Sequence, residues 1–277
     1  TMTIVGLLNP GAMGASLGAA ALTNVEEVLW TSEGRSDATR IRAEKAGLSN
    51  AGSLADLVDA SELILSVCPP ASALALANEV FSLGFKGTYV DCNAIAPEQT
   101  RAIAEIASNK GARLVDGGII GGPAWQAAAG TKLWLSGPDI SEVTALFEHS
   151  PLHTGVAGSE IGAASALKMC FAAFTKGSTA LLAAVLAVAD KEGVGDALAE
   201  QWGEAFTSKT KQQVTTNSAK AWRFAGEMEQ IAATFDSAGL PGGFHEAAAD
   251  VFYRLSEFKD WQSKPAFDDL LQALQSK

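Results

Sequence analysis

The segment that most restricts what this chain can fold into is Gly6-Leu7-Leu8-Asn9-Pro10-Gly11-Ala12-Met13-Gly14, which lies between a strand pattern and a helix pattern. A βα corner that binds a dinucleotide needs glycines spaced G-x-G-x-x-G, for a tight turn and close approach of the backbone to the pyrophosphate. Gly11 and Gly14 supply the last two, and Asn9 replaces the first. Asparagine adopts positive φ more readily than other non-glycine residues, so the turn remains possible.

The amides of this corner are its predicted phosphate donors. Pro10 has no N–H, so the amides of Gly11, Ala12 and Met13 at the start of the helix are expected to face the pyrophosphate, aided by the helix dipole. The alternative is a helix that merely begins with glycines. The predicted cofactor-binding residues here are Asn9, Pro10, Gly11, Ala12, Met13 and Gly14.

Strand and helix patterns alternate through the first half of the chain. Strands are predicted at 4–8, 28–31, 63–67, 89–92, 113–116 and 132–136, and helices at 12–22, up to 45, 70–81, 98–110 and 140–148. Repeated βα units of this length predict an α/β fold, with a parallel sheet covered by helices on both faces.

The pattern changes after about residue 155. Helices are predicted at 161–189, 194–202, 218–238, 244–255 and 267–274, and no strand pattern is visible there. The chain is therefore expected to form a Rossmann-like dinucleotide-binding domain over 1–155 and an all-helical domain over 156–277.

Charge and cysteine content exclude several classes of partner. Lys and Arg total 20 against 31 Asp and Glu, a net charge of −11, so neither nucleic acid nor a membrane surface is an expected partner. Cys68, Cys92 and Cys170 form no CxxC pair, so no metal site is expected. The most apolar stretch, 181–189, is too short to span a bilayer and no signal peptide is visible, so a cytoplasmic protein is expected.

The end of the second strand is where the adenosine ribose would be recognised. Ser32, Arg35 and Ser36 favour the 2′-phosphate of NADP, whereas Glu33 favours NAD unless it points to solvent. Arg35 could equally be an exposed residue at the start of the next helix. NADP is the predicted cofactor, and NAD stays possible.

Three further loops leave strands of the same sheet and should meet at one crevice. The loop after the third strand contains Val67, Cys68 and Pro69, which are predicted to bind the cofactor. The next contains Asn93, a neutral donor and acceptor expected at the nicotinamide end. The last contains Gly121 and Gly122, which allow close backbone approach to a ligand. Ordinary turn chemistry is the alternative interpretation.

These motifs occur together in a known order. Val5-Gly6-Leu7-Leu8-x-x-Gly11-x-Met13-Gly14, the Asp91–Pro97 loop, the Gly121–Thr131 segment and Gly162…Lys168 in a long helix resemble the β-hydroxyacid dehydrogenases, the 6-phosphogluconate dehydrogenase-like family. Imine reductases have a similar architecture. The resemblance covers nearly the whole chain. It implies a Rossmann domain followed by a helical substrate and dimerisation domain, a homodimer, and Lys168 as the catalytic acid/base.

The chain departs from the family pattern at four positions. Ile120 stands where the family has a serine that contacts the substrate carboxylate, and Ala172 stands where it has an asparagine. Gly226 replaces the lysine of a Lys-Asp pair, with Glu227 in the acidic position, and Asn93 replaces a loop serine. These departures argue against the usual β-hydroxy carboxylate substrate more than against cofactor binding.

The predicted helix around Lys168 has a polar face. At 100° per residue Ala172, Thr175 and Thr179 share the face of Lys168, whereas Lys176 is displaced by about 80°. Lysine acts as an acid/base where burial lowers its pKa. Lys168 is therefore the predicted catalytic group, with Asn93 and Thr175 in support. The alternative is a solvated helix lysine.

The remaining candidates would contact substrate. Lys176 could attract an anionic substrate or lie exposed, His245 could be structural instead, and Arg223 could hold an anion or pair with Glu227. The predicted substrate residues are Gly121, Gly122, Trp125, Lys176, Trp222 and His245.

The resulting hypothesis is an NADP-dependent oxidoreductase that transfers hydride between nicotinamide and a small hydroxy or carbonyl substrate. Two alternatives stay open. One is an NADPH-dependent imine reductase, and the other is a non-catalytic NADP-binding sensor or regulatory protein.

Overall fold

A computed structural model describes residues 3–276, so the first two positions of the predicted first domain and the last position of the second lie outside it. The chain divides into two compact units, one ending at Lys168 and the other beginning at Met169. The boundary expected between residues 155 and 156 falls inside a strand of the first unit instead.

The first unit is built on an eight-stranded sheet with the order β3-β2-β1-β4-β5-β6-β7-β8. Its strands are β1 Val5–Leu8, β2 Val28–Trp30, β3 Ser49–Asn50, β4 Leu63–Ser66, β5 Thr88–Asp91, β6 Arg113–Ile120, β7 Lys132–Ser136 and β8 His153–Gly158. The short β3 and the edge strand β8 were not predicted from the sequence.

The direction of one strand pair differs from the expected parallel sheet. β6 and β7 pair antiparallel, whereas the other neighbouring pairs are parallel. A parallel connection needs a crossover of a dozen or more residues, usually a helix. The segment between β6 and β7 contains only a 3-10 turn at Ala127–Ala129, so the chain returns antiparallel.

Helices cover both faces of the sheet, as predicted. Alternate strand residues point to opposite faces, so Leu7 and Leu65 lie in one buried cluster, and Leu8 and Ile64 in the other. The helices are α1 Ala12–Ala21, α2 Asp37–Lys45, α3 Leu54–Ala60, α4 Ala73–Ser82, α5 Pro97–Asn109 and α6 Ser141–Leu146. This arrangement confirms the Rossmann-like fold.

Within the described residues of the second unit, 169–276, the regular secondary structure is helical, which confirms the second part of the predicted fold. The helix α7, Ala163–Lys191, begins in the first unit and continues into the second. It is followed by α8 Gly195–Trp202, α9 Glu204–Ser218, α10 Ala221–Ser237, α11 Gly243–Arg254 and α12 Phe267–Gln275.

The helix α9 was missed because its buried face is made of hydroxyl side chains rather than a periodic apolar stripe. Thr207, Thr210, Thr215 and Ser218 are buried on it together with one apolar residue, Val214. The hydroxyls of Thr207 and Thr215 donate to carbonyls one turn earlier, at 3.0 and 2.8 Å, so burial leaves them satisfied.

Among residues 3–276, one helix, α7, is long and apolar enough to cross a membrane by length and composition, with a mean hydropathy of 1.6 over its best window. Helices in the core of globular proteins meet the same criterion, so this observation is weak.

Candidate functional site

The βα corner has the strained turn that its sequence requires. Asn9 has a φ of 66°, in the left-handed region, which confirms the expected substitute for the first glycine. A Cβ on Gly14 would lie 2.6 Å from the Asn9 carbonyl oxygen, so no larger residue fits there. The corner is therefore closed tightly between β1 and α1.

The start of α1 offers fewer donors than expected. The Gly11 amide donates to the Asn9 carbonyl at 2.7 Å, so its predicted role as a phosphate donor is wrong for this conformation. Gly11 is the N-cap residue, and within residues 3–276 no side chain caps the helix. The amides of Ala12 and Met13, in the first turn, have no carbonyl acceptor within their own helix. An anion can therefore be bound there.

Arg35 lies beside this corner. Its Nη1 donates to the Asn9 side-chain oxygen at 3.1 Å, while its Nε is buried with no hydrogen-bond partner. Arg35 and Asn9 line a cavity of about 340 Å³ together with Cys68, Pro69 and the start of α4. This guanidinium nitrogen is available as a donor to an anion, although Glu79 also lines the cavity.

The other residues at the end of β2 are arranged around Arg35. Glu33 is exposed to solvent, so its negative charge does not argue against a 2′-phosphate at this loop. Ser36 is the N-cap of α2, and its Oγ accepts from the Thr39 amide at 3.3 Å. The Ser32 amide donates to the Asn50 side chain at 3.1 Å. Both serines hold the loop that presents Arg35.

A second arginine at the corner was missed from the sequence. Arg42 Nη1 donates to the Pro10 carbonyl at 3.1 Å and so places another positive charge beside the phosphate loop. Arg35 precedes the N-cap residue Ser36 and so lies outside α2, whereas Arg42 lies within it, and no spacing in the sequence linked Arg42 to the corner.

Asn93 is buried and its side chain is fully engaged. Its Oδ1 accepts from the Cys68 amide at 2.6 Å, and its Nδ2 donates to Ser66 Oγ at 3.0 Å and to Asp91 at 3.1 Å. Asn93 therefore fixes the loop that contains Val67, Cys68 and Pro69, rather than presenting its amide to a ligand. Burial raises the pKa of the Cys68 thiol to about 12, so it is neutral.

Lys168 lies near the end of β6. Its Nζ donates to the Ile119 carbonyl at 2.6 Å. A Cβ on Gly118 would lie 2.5 Å from the Ala164 carbonyl oxygen and 3.2 Å from the Lys168 Cβ, so this glycine is what lets α7 pack directly on the strand. The amine of Lys168 is thus oriented by backbone and is half-buried, which disfavours the solvated-lysine alternative.

Asp116 on the same strand binds the start of α7 and was missed from the sequence. Its fully buried carboxylate accepts from the amides of Gly162, Ala164 and Ser165 at 2.9 to 3.1 Å. The hydroxyls of Ser136 and Ser165 donate to it at 2.8 and 2.6 Å. Asp116 is therefore the residue that fixes the helix carrying Lys168.

The glycine-pair loop is held by two side chains. Gly121 has a φ of 128°, and the Thr131 hydroxyl donates to the Gly122 carbonyl at 2.7 Å. The Ala124 amide donates to Ser16 Oγ on α1 at 2.9 Å, which brings this loop to the phosphate helix. Trp125 in the same loop is 47% exposed, so it does not plug the protein interior.

Among residues 3–276 no group of three or more His, Cys, Asp or Glu side chains could hold a metal ion.

The match to a known family covers more than half of the chain. Residues 1–151 match the family described as the NAD binding domain of 6-phosphogluconate dehydrogenase. The chain belongs to this family. Residues 189–255 match a domain of unknown function, DUF1932. The family is the one suggested by the sequence motifs, and it places the chain among proteins with the NAD(P)-binding hydroxyacid dehydrogenase and imine reductase fold.

The chain is also similar to one sequence relative and to three solved structures. An uncharacterised 28.5 kDa protein of Methanothermus fervidus is 33% identical over 63% of this chain and 66% of its own length, just under two thirds. A conserved protein of unknown function, MTH1747, whose structure is described as similar to 3-hydroxyacid dehydrogenases, is 26% identical with a TM-score of 0.67, over 92% of this chain and 97% of that one.

The other two structures show the fold alone. A Mycobacterium tuberculosis 3-hydroxyisobutyrate dehydrogenase with L-serine is 17% identical with a TM-score of 0.70 over 100% of both chains. A reductive aminase from Aspergillus terreus with NADPH, cyclohexanone and allyl amine is 16% identical with a TM-score of 0.58, over 99% of this chain and 100% of that one.

The 6-phosphogluconate dehydrogenase-like pattern is altered around the lysine. Ala172, in the place of the family asparagine, is buried and apolar, so it offers no hydrogen bond. The Thr175 hydroxyl donates to the Phe171 carbonyl of its own helix at 3.1 Å. Lys176 forms an ion pair with Glu227 and its side chain is 17% exposed, so it is not an exposed lysine. Glu227 is thus an ion-pair partner of Lys176, whereas Arg223 was the partner expected for it.

His245 and Trp222 lie in the second unit in contrasting environments. His245 is 9% exposed, its Nδ1 has no partner, its ring lies 4.3 Å from that of Phe235, and burial lowers its pKa so that it is neutral. Trp222 is 42% exposed and stacks under the Lys259 ammonium at 4.1 Å. Their proposed contacts with substrate stay predictions.

The buried Asp91 that holds Asn93 predicts a pH dependence of stability. Burial raises the pKa of Asp91 to about 7, so the folded protein keeps a proton there that the unfolded chain loses near pH 4. Stability from this group is greatest below pH 4 and is lost as the pH rises to 7. Asp91→Asn replaces with an NH2 group one of the two oxygens that accept from Asn93, which costs stability at every pH. We expect its free energy of unfolding relative to wild type to rise by about 4 kcal/mol between pH 4 and pH 8.

Urea unfolding across this pH range measures the difference. Asp59→Asn, which changes an exposed carboxylate, is the control and should show no such trend. A constant difference between Asp91→Asn and wild type would contradict the assignment.

Proposed function

We propose that the protein is an NADP-dependent oxidoreductase that transfers hydride between nicotinamide and a small hydroxy or carbonyl substrate, with Lys168 as acid/base. The observation that carries the proposal is Arg35, which lines the cavity beside the dinucleotide corner and has a buried Nε without a hydrogen-bond partner. The family match supports a dinucleotide at this corner, and the arginine supports the extra phosphate that distinguishes NADP from NAD.

The residues that would hold NADP are those of the corner and its neighbouring loops. Ala12 and Met13 would donate amides to the pyrophosphate, and Arg35 would bind the 2′-phosphate with Ser32 and Ser36. Cys68 and Pro69 line the cavity, and Val67 beside them stays a predicted contact. Bound NADPH would supply the hydride. NAD stays possible, because Glu33 is present in the same loop.

Arg35→Ala is expected to weaken binding of NADPH by tenfold or more, on the order of one lost charge-assisted hydrogen bond, and to change binding of NADH little. The two dissociation constants, measured by fluorescence titration, test this. Lys45→Ala, which removes an exposed positive charge in the last turn of α2, is the matched control. Equal losses for both nucleotides would remove the preference for NADP.

Lys168 would move the proton that accompanies hydride transfer. In the reductive direction its Nζ would give a proton to the carbonyl oxygen, and in the oxidative direction it would take one from the hydroxyl. The Ile119 carbonyl accepts from this Nζ and would keep it aimed while the proton moves. Asn93 would support catalysis by holding its loop, and Thr175 by its place on the same face of α7.

Lys168→Met is expected to lower turnover by about 10²- to 10⁴-fold while NADPH still binds, because the variant keeps the aliphatic side chain and loses the proton donor. NADPH oxidation with a panel of aldehydes, ketones and oxo acids measures the loss. Lys191→Met, on the exposed end of the same helix, is the control. Unchanged turnover in Lys168→Met would end the catalytic assignment.

An imine reductase is the second candidate. The buried Ala172 and the apolar Ile120 remove polar groups that a carboxylate substrate would use, whereas a C=N substrate needs only a proton donor. Cyclic imines in the same panel separate the two activities. Tight binding of NADPH without turnover of any member would favour a non-catalytic NADP-binding sensor.

A homodimer is proposed from the surface of α7. Phe174, Leu181 and Val188 are 76, 65 and 62% exposed and repeat every seven residues, so they form one apolar stripe. A second copy of the chain, in the cytoplasm, is the proposed partner of the stripe.

Leu181→Glu places a charge in this stripe and is expected to convert a dimer to a monomer without unfolding the protein. Light scattering measures the mass, and Leu83→Glu, another exposed leucine in the first unit, is the control. A wild-type monomer at high concentration would contradict the proposal.

A further inference from the structure

The side chain of Asn9 makes contacts that the dinucleotide corner itself does not need. The turn requires only a residue that accepts positive φ, and Asn9 has a φ of 66°. Glycine adopts this conformation without steric cost, and it is the residue that the fingerprint has here. The backbone of the turn is closed by the Gly11 amide, which donates to the Asn9 carbonyl at 2.7 Å. The side-chain amide of Asn9 is therefore available for another role.

The sheet order places Asn9 between two loops of the first unit. Asn9 directly follows β1, which lies between β2 and β4 and runs parallel to both. The segments that leave these three strands therefore meet at one edge of the sheet. Asn9 Oδ1 accepts from Nη1 of Arg35, in the loop after β2, at 3.1 Å. Asn9 Nδ2 donates to the carbonyl of Val67, after β4, at 3.5 Å. One side chain thus links all three segments.

These two contacts determine which way round the amide of Asn9 stands. An amide oxygen accepts hydrogen bonds, and the NH2 group donates them. The guanidinium of Arg35 can only donate, and the carbonyl of Val67 can only accept. A half-turn of the amide would therefore place donor against donor and acceptor against acceptor. The orientation that satisfies both sides is the one with Oδ1 towards Arg35.

The acceptor that Asn9 offers to Arg35 carries no charge. Among residues 3–276 no carboxylate lies within ion-pair distance of Arg35. Glu79 lines the same cavity, but it is exposed, so water and salt screen its charge. A neutral acceptor holds the guanidinium in place and leaves its positive charge for an anionic ligand, whereas a carboxylate at the same place would neutralise that charge.

Holding Arg35 in advance favours any ligand that contacts it. A free arginine side chain has many rotamers, and a ligand that orders it must offset the lost conformational entropy. The contact with Asn9 removes part of this freedom before the ligand arrives. Under the proposed function, the group that contacts Arg35 is the 2′-phosphate, which NADPH has and NADH lacks. The side chain of Asn9 should therefore favour one dinucleotide over the other.

We propose that Asn9 is a positioning residue for cofactor specificity, whose side-chain amide holds Arg35 ready for the 2′-phosphate of NADP. This inference rests on the proposed function. It gives a role to the residue that departs from the glycine fingerprint. Asn9 keeps the left-handed turn that the fingerprint requires and adds a contact that distinguishes the two dinucleotides.

Asn9→Gly tests the proposal, because glycine keeps the turn and removes only the amide. We expect the Kd for NADPH to rise about fivefold and the Kd for NADH to change by less than about twofold. Fluorescence titration measures both constants. Asn24→Gly is the matched control, because it removes an amide that donates to the carbonyls of Leu146 and Glu148, before β2 and so at the other end of the strands. Both constants should be unchanged in the control.

A double-mutant cycle with Arg35→Ala shows whether Asn9 acts through the arginine. In the Arg35→Ala background, adding Asn9→Gly should change the Kd for NADPH by less than about twofold. Damage to the turn would instead weaken NADPH and NADH alike, with or without Arg35. Equal losses for the two nucleotides, or losses that add in the double variant, would overturn the proposal.

Asn9→Asp provides a second, independent variant. Aspartate also tolerates the left-handed conformation and keeps an acceptor for Arg35, but its negative charge neutralises the guanidinium. We expect the preference for NADPH over NADH to fall further than in Asn9→Gly. A preference as high as that of wild type would contradict the role of a neutral acceptor.

The same titrations distinguish failure of this inference from failure of the proposed function. If folded wild type binds neither NADPH nor NADH, the proposed function is wrong and the inference fails with it. If Arg35→Ala weakens NADPH selectively while Asn9→Gly leaves both constants unchanged, the proposed cofactor stands and only the role of Asn9 is wrong.

Discussion

The candidate site depends most on the hydrogen bonds between the Asp116 carboxylate and the backbone amides at the start of α7. The first amides of any α-helix lack partners within the helix, and here three of them converge on one buried carboxylate. The negative charge also matches the positive end of the helix dipole. Three residues further along the same strand, Ile119 supplies the carbonyl that holds the Lys168 amine. One strand therefore sets both where α7 begins and where its lysine points.

The elements that local patterns specify could be predicted from the sequence. Alternating strand and helix periodicity predicted the layered α/β unit, and the Asn9 substitution predicted a left-handed turn that the structure has. The exposed edge strand β8 and the two-residue β3 lack a buried apolar run, and α9 buries hydroxyls, so periodicity could not reveal them. The antiparallel direction of β7 was missed because the segment between β6 and β7 contains a 3-10 turn in place of the crossover helix that a parallel pair needs.

The site was predictable where it is local and unpredictable where it depends on distant contacts. Arg35 was singled out because it follows the second strand, where the adenosine ribose is expected, and its side chain contacts Asn9 of the corner. The partner of Lys176 is 51 residues away, and no spacing rule links the two helices that bring them together. Asn93 was recognised as important for its chemistry, but its side chain serves the loop through Cys68 and Asp91, which only the packed structure could reveal.

The three cysteines differ in burial, and this difference allows α7 to be labelled selectively. The thiols of Cys68 and Cys92 have pKa values raised by burial, so they remain protonated and unreactive toward alkylating reagents. Cys170 is exposed on α7, beside Phe171 and two residues after Lys168. A fluorescent maleimide would therefore attach there selectively, and its accessibility would report whenever that stretch of the helix becomes covered, by a ligand or by another molecule.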